Sequence, residues 1–558
     1  MTMKKIVMSL LGCLFAISSF AQVKFTAGPA LGNDEDNHMN RMIQAEDGVY
    51  YAYRIKTKGK GTVFLIEKFN QTSLTAVFSK EVEIPTERTK VLDVRYAGKR
   101  VYVLYRSYDK EKQLMSLNYK TVSPEGTVSP AKEFLTKTTD HYEFIDFDIT
   151  SNPSKSKIAV KTTYKPNKEA VYKTDFVLFN ANTDKIEWTK TVDKYLKKSK
   201  AWFTWSFKTV ETTGFLGFLL EDNDDIFYAY NDKLKKEDKK DLRYNAAVEI
   251  LKAGSDKSIS VPLDLPQDYL VYDVQFSVNK QKNVVIAGFF KDVIERKGRD
   301  LVDVGVFNYR INAETGAIEG KATKVFDAKI LTALESNQQK SRGMIYKVDY
   351  ILPSGDDFYL IGEQYTVAAV SKSQGGMSAF SAVSNVVALS SGANPMYIGY
   401  NYVYEYMDVI VAKINAKGEF EWVTNSPLRN GTQTTDNPHV FKQYIAYPST
   451  NGIYLLYNEH FKNSERLLKP DYKPSDLKTQ IYIHGSNFVY SKITPDGTVK
   501  HDIVFRNEEY CFAPIQERNI QFLPPEDAEI HVDSDKKDEI IIYTEDKGKG
   551  KFYRLNFE

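Results

Sequence analysis

Val271-Tyr272-Asp273-Val274-Gln275-Phe276 alternates apolar and polar side chains. After a short gap it is followed by Val284-Val285-Ile286-Ala287-Gly288, a run that is apolar on both faces. Further on, Asn312-Ala313-Glu314-Thr315-Gly316 has the composition of a tight hairpin. β-Branched and aromatic residues suit a pleated, half-buried surface, so the two runs read as neighbouring strands. Glycine late in the turn accepts positive φ and lets the chain reverse. Strand, turn, apolar strand and hairpin form one unit, and the unit recurs along the chain.

Its opening strand returns as Val91–Tyr96, Phe144–Phe147, Phe203–Phe207, Tyr346–Tyr350 and Gln443–Tyr447, with weaker versions at Arg41–Gln44 and Glu529–Val532. The second strand returns as Val49–Tyr53, Val101–Tyr105, Ile158–Val160, Phe215–Leu219, Phe358–Gly362, Ile453–Tyr457 and Ile540–Tyr543. Hairpin chemistry recurs at Ser123-Pro124-Glu125-Gly126, Asn415-Ala416-Lys417-Gly418 and Thr494-Pro495-Asp496-Gly497, and Glu419–Val423 reads as a fourth strand. Four hairpin-linked strands repeated about eight times predict an all-β chain, a β-propeller of four-stranded blades, with seven as the alternative count. The last unit is one strand short at Phe552–Phe557, whereas Val23–Thr26 is a strand without a blade. Pairing the two would close the ring and remove an exposed edge.

Residues 1–21 read as a signal peptide: Lys4 and Lys5, an apolar stretch from Ile6 to Ile17, and a small-residue cleavage site at Ser19-Phe20-Ala21. The expected product is a single domain, 22–558, exported to the periplasm or beyond the cell. Leu10-Leu11-Gly12-Cys13 resembles a lipoprotein box, which makes Cys13 an alternative lipid anchor. Only Cys511 would remain after cleavage, so a large core rather than a disulfide framework must hold the chain. Losing Lys4 and Lys5 takes the basic count from 75 to 73, equal to the 73 acidic side chains. Neutrality argues against nucleic acid, and nothing beyond the signal is apolar enough to span a bilayer as a helix. An outer-membrane β-barrel is the rival architecture, but strands such as Val284–Ala287 lack the alternation that a lipid-facing wall requires.

Three long second-to-third-strand connections are expected, at 222–244, 364–405 and 461–480, all emerging on one face. Long loops on a rigid scaffold are where binding concentrates. In the longest of them, Phe380 to Leu389 has the spacing of a short amphipathic helix. Tyr400, Tyr402, Tyr404 and Tyr406 then alternate along a strand and share a face, a platform for sugar or peptide rings or simply a packing surface. Glu221, Glu363, Glu459 and Glu545 end second strands in four blades, and Arg54 and Arg106 do so in two others. Converging at the ring mouth, they would share a proton, hold a cation or clamp an anion, with His460 beside Glu459. The plainer alternative is that strand ends meet water. No histidine cluster has metal-ligand spacing, the acidic runs Asn33–Asn37 and Asp222–Asp225 lack the calcium-loop pattern, and no nucleophile elbow or phosphate loop is found. No cofactor is therefore expected.

Over Val23–Glu558 the chain resembles the β-propeller superfamily in its repeat pattern, and Asn415–Trp422 is similar to blades of secreted bacterial propellers. It lacks the Ser-x-Asp-x-Gly-x-x-Trp box of sialidase-like enzymes and the Trp-Asp ending of intracellular repeat propellers, so no catalytic residues carry over. The leading expectation is a non-catalytic exported scaffold or binding protein that recognises a glycan, a peptide or an envelope protein. A polysaccharide hydrolase or lyase using the mouth carboxylates is the alternative.

Overall fold

The computed structural model describes residues 24–32, 39–45, 49–58, 61–70, 72–85, 87–141, 145–192, 214–233, 244–266, 269–278, 283–292, 304–326, 345–371, 400–429, 431–434, 444–449, 451–469, 471–473, 476–478, 486–506, 538–546 and 549–557. They form eight separate antiparallel sheets arranged as the blades of a propeller, not one continuous barrel wall. The proposed signal, Cys13, Cys511, Phe203–Phe207, Glu529–Val532 and Phe380–Leu389 lie outside these residues. Among the described residues no helix is long and apolar enough to cross a membrane.

Burial follows strand position. Second strands are covered on both faces, as in Gly452–His460, where only the last residue is partly exposed. Fourth strands such as Ile318–Val325 show half-buried residues alternating with exposed ones. First strands of successive blades approach one another around the axis. Several carry a β-bulge at a similar place, between Val91 and Asp93, Val271 and Asp273, and Val348 and Tyr350, which adds local twist where the blades converge. Core clusters bridge neighbouring blades rather than filling single sheets. One joins Val285, Phe289 and Val306 of blade 5 to Leu360, Ile410 and Ala412 of blade 6.

The ring closes as the two chain ends predict. Lys24–Ala27 pairs with Tyr553–Asn556, and Leu31–Gly32 with Lys549–Gly550, completing blade 8 beside Asp538–Asp546. Phe552 then reaches blade 1, edge-on to Phe69 with centroids 4.7 Å apart and to Tyr50 at 5.2 Å.

A second device links the blades on the face that carries the third-to-fourth-strand hairpins. Each hairpin offers a carbonyl to a donor from the preceding blade. Arg554 donates to Thr72 O (2.6 Å), Lys68 to Pro124 O (2.9 Å), Tyr102 to Ala181 O (2.9 Å) and Lys190 to Ser255 O (2.8 Å). Lys252 donates to Ala313 O (3.1 Å), Arg310 to Ala416 O, and Trp422 to Pro495 O (2.9 Å). Blade 8 has no such hairpin, because its outer strand comes from the N-terminal end. At Gly497 φ is +84°, and an added Cβ would lie 3.0 Å from the Trp422 ring, so turn conformation and seam packing both require glycine there.

Blade 4 departs from the expected strand order. Gly214–Leu220 is its first strand and Ile226–Lys233 its second, so 222–244 is not a loop insertion. The acidic run after Leu220 is a first-to-second-strand turn. Asp222 accepts from Asn152 (2.7 Å) and Asp224 from Lys157 (2.6 Å), both in blade 3, while Asp225 accepts from Lys252 (2.6 Å).

Phe552→Ala is expected to lower the unfolding free energy by about 3–5 kcal/mol, the usual range for emptying a buried aromatic site. The check is the urea midpoint; an unchanged value would mean that the seam between blades 8 and 1 does not hold the ring.

Candidate functional site

The face opposite the hairpins carries the long second-to-third-strand connections, and blades 6 and 7 elaborate it most. In blade 6 the second strand, Asp357–Ser371, and the third, Tyr400–Ile414, are each 15 residues long. Their register shifts between Glu363 and Tyr365, then continues from Tyr365↔Tyr406 to Ser371↔Tyr400 as a ribbon beyond the blade. Gly431–Thr434 adds a third strand along Tyr402–Glu405. The expected insertion 364–405 is thus largely strand at both ends. Tyr400, Tyr402 and Tyr404 lie on this ribbon opposite Ser371, Ala369 and Val367.

The ribbon is rooted in buried charge. Asp408, 0% exposed and at the register shift, is ion-paired with Arg429, 1% exposed, and also accepts from Asn425 at 2.8 Å. In blade 7 the second strand runs straight into a helix, Phe461–Leu467. Glu459, fully buried, accepts from the backbone of His460 (2.8 Å), the Asn463 amide (2.9 Å) and the backbone of Arg429 (3.3 Å). Burial raises its pKa against the lowering effect of these donors. His460 is the N-cap: Nδ1 accepts from Lys462 N at 3.3 Å, and burial together with Lys462 and Arg466 lowers its pKa.

The segment after this helix is pinned by a polar chain. The Tyr472 hydroxyl lies 2.9 Å from His501 Nε2, and His501 Nδ1 lies 2.7 Å from Ser491 Oγ. Ser491 Oγ is also 2.9 Å from Ser426 Oγ and 2.9 Å from the Tyr457 hydroxyl. Burial lowers the His501 pKa to about 4, so the ring is neutral at pH 7, one nitrogen donating and the other accepting.

Glu221, Glu363 and Glu459 do not form a converging mouth. Glu221 follows the first strand of blade 4 and sits in the turn before Asp225, on the hairpin-bearing face opposite the ribbon. Glu363 is fully buried within a strand, in register with Lys347. Burial disfavours the Lys347 charge, but Asp349, Asp273 and Glu363 outweigh it and hold its pKa above the ordinary lysine value. Asp349 Oδ2 accepts from the Tyr444 hydroxyl at 2.8 Å, and Asp273 Oδ2 from the Val348 backbone at 2.8 Å, so this cluster joins blades 5, 6 and 7. Arg54, 3% exposed, pairs with Glu67 at 2.7 Å inside blade 1. Arg106 is half-buried in the second strand of blade 2, and Glu545 lies in the blade 8 strand opposite Gly550. Facing carboxylates at glycosidase spacing require side chains on one open face, and Glu221, Glu363 and Glu459 do not meet that condition. Among the described residues no group of three or more His, Cys, Asp or Glu side chains is placed to hold a metal ion.

The sequence reading missed Asp408, Arg429, Lys347, Tyr472 and His501. The aspartate repeated in the opening strands, Asp93, Asp273 and Asp349, was the one signal that pointed toward the inner clusters.

The chain is a β-propeller of eight blades. No family profile and no curated protein matches it. Among solved structures it is similar to the WD40 domain of SCAP from fission yeast, at 7% identity over 97% of this chain and 96% of that one, with a TM-score of 0.37. It is also similar to a DUF4221 family member from Bacteroides vulgatus, at 13% identity over 82% and 97% of the chains and a TM-score of 0.29. A third is the β-propeller domain of the Trilobed protease from Pyrococcus furiosus, at 11% identity over 70% and 93% and a TM-score of 0.31. Likeness at this level assigns no activity.

Two outcomes follow from the buried groups. Asp408→Ala strands the Arg429 charge and is expected to cost about 3–5 kcal/mol in urea unfolding, against little change for an exposed control such as Asp264→Ala. His501 takes up a proton near pH 6.5 when unfolded but only near 4 when folded. Its contribution is therefore complete above pH 6.5 and lost as the pH falls toward 4, a total of about 3 kcal/mol. His501→Gln should flatten stability across that window, and an unchanged slope would remove His501 as its source.

Proposed function

We propose that this propeller is exported and binds a peptide or protein of the cell envelope through the face formed by the blade 6 ribbon and the blade 7 helix. The observation that carries the reading is the pair of 15-residue strands that extend past the blade and are rooted in the buried Asp408–Arg429 ion pair. A strand extension held this firmly is a display surface, because a mobile loop would lose more entropy on binding. Phe461 and Leu468, 42% and 38% exposed, add apolar contact points at the two ends of the blade 7 helix. Exposed aromatic side chains such as Phe461 are enriched at the cores of protein–protein interfaces.

The test has two arms. Expression with the full N-terminal sequence, cell fractionation and N-terminal sequencing should place the protein outside the cytoplasm with Gln22 first; a cytoplasmic, uncleaved chain would sink the export reading. Envelope extract is then passed over wild-type protein, a variant with 367–404 replaced by an Asn-Gly turn, and Phe461→Asp. A partner retained by wild type and lost from both variants, while Glu314→Lys on the opposite face retains it, is the expected result. Equal retention by all four proteins would overturn the assignment.

A further inference from the structure

The seam between blades 3 and 4 leaves a cavity of about 440 Å³, well away from the ribbon and helix. Its walls come from the outer strand of blade 3, Lys185–Val192, and from blade 4 around Glu249, Asp256 and Ser258. Asp256 and Ser258 lie at the hairpin between the third and fourth strands of blade 4, so the cavity opens toward the hairpin-bearing side. The volume falls in the usual range for small-ligand sites, but the lining differs from the apolar norm.

That lining selects a ligand class. Glu249, only 4% exposed, lies at the inner end and accepts from the Tyr230 hydroxyl at 3.1 Å. Asp256 provides a second carboxylate at the rim, and Ser258 and Thr189 provide exposed hydroxyls that both donate and accept. Lys190 stands between the walls; its ammonium donates to Ser255 O at 2.8 Å and lies 4.9 Å from the centre of the Trp188 ring. Val192 and Leu251 leave a small apolar strip between the polar groups.

An apolar ligand would strip water from carboxylates and hydroxyls without replacing their hydrogen bonds. An anion would meet two carboxylates against one ammonium, and an amine would sit beside Lys190. A neutral ring bearing several hydroxyls meets none of these penalties: its O–H groups donate to Glu249 and Asp256, its oxygens accept from Ser258 and Thr189, and its C–H face covers Val192 and Leu251. We infer that the crevice between blades 3 and 4 is a binding site for a neutral saccharide unit, separate from the partner face.

The experiment is saturation-transfer NMR on the purified full chain with the methyl glycosides of glucose, galactose, mannose and N-acetylglucosamine, and with putrescine as an amine probe. At least one glycoside should bind saturably. Asp256→Ala and Ser258→Ala, both on exposed positions and so harmless to folding, should each weaken it about tenfold, the loss expected for one good hydrogen bond. Phe461→Ala, on the other face, should leave it unchanged. Absence of saturable glycoside binding, glycoside binding indifferent to the two crevice substitutions, or binding of putrescine alone would each overturn the inference.

Discussion

The pairing of Lys549–Phe557 with the two short strands Lys24–Ala27 and Leu31–Gly32 is the constraint on which the rest depends. A propeller blade is a sheet whose apolar faces are covered only by its neighbours, so an open ring would leave two faces and one edge in water. The cluster of Met42, Tyr50, Phe69 and Leu74 with Ile541, Tyr543 and Phe552 exists only because the ends of the chain meet. The chain runs unbroken from Gly32 of blade 8 into blade 1, so the junction without covalent continuity lies inside blade 8, where Lys24–Ala27 and Leu31–Gly32 are held to Lys549–Phe557 by ladder hydrogen bonds and side-chain packing.

The two faces of the ring divide their work because of how the strands connect. On the hairpin-bearing face, turns are short and their carbonyls are already taken by donors such as Lys68, Lys252 and Trp422. Lengthening one of those turns would break a link between blades. The opposite face is under no such constraint, and there blade 6 extends its strands and blade 7 continues into a helix. Elaboration there has its own anchoring: the Asp408–Arg429 pair and the hydrogen bonds of Glu459 hold both extensions to the blades beneath.

The architecture was legible because its determinants are local. Alternation in Val271–Phe276, the double-sided apolar run Val284–Gly288 and the glycine turns at Gly316, Gly418 and Gly497 each act over a few residues. Blade 4 was misread for a related reason: its first strand, Gly214–Leu220, is as apolar as any second strand, so local composition pointed to the wrong position. The candidate site was much less legible. Glu363 looked like a strand end because a recognisable apolar run stops there, yet the ladder continues to Ser371. Arg54, Glu363 and Glu459 are polar residues buried because a partner from another strand or segment neutralises or hydrogen-bonds them. Such partners, Glu67, Lys347 and Arg429 among them, are set by tertiary contact rather than by spacing.

The closing strand also carries a kinetic consequence. Lys24–Ala27 is synthesised long before its partner, Tyr553–Asn556, and among the described residues no other strand pairing spans so much of the chain. Loop-closure entropy makes such contacts slow to form. Until blade 8 emerges, the early strand waits as an unpaired edge, the kind of segment that pairs with other chains. Its brevity limits that hazard. The ladder is interrupted at Gly28-Pro29-Ala30, where Gly28 N donates to Phe552 O at 2.8 Å and any Cβ would come within 2.8 Å of Leu74. A proline-broken strand of this length is a poor template for a stranger, yet it fits the one edge shaped to receive it.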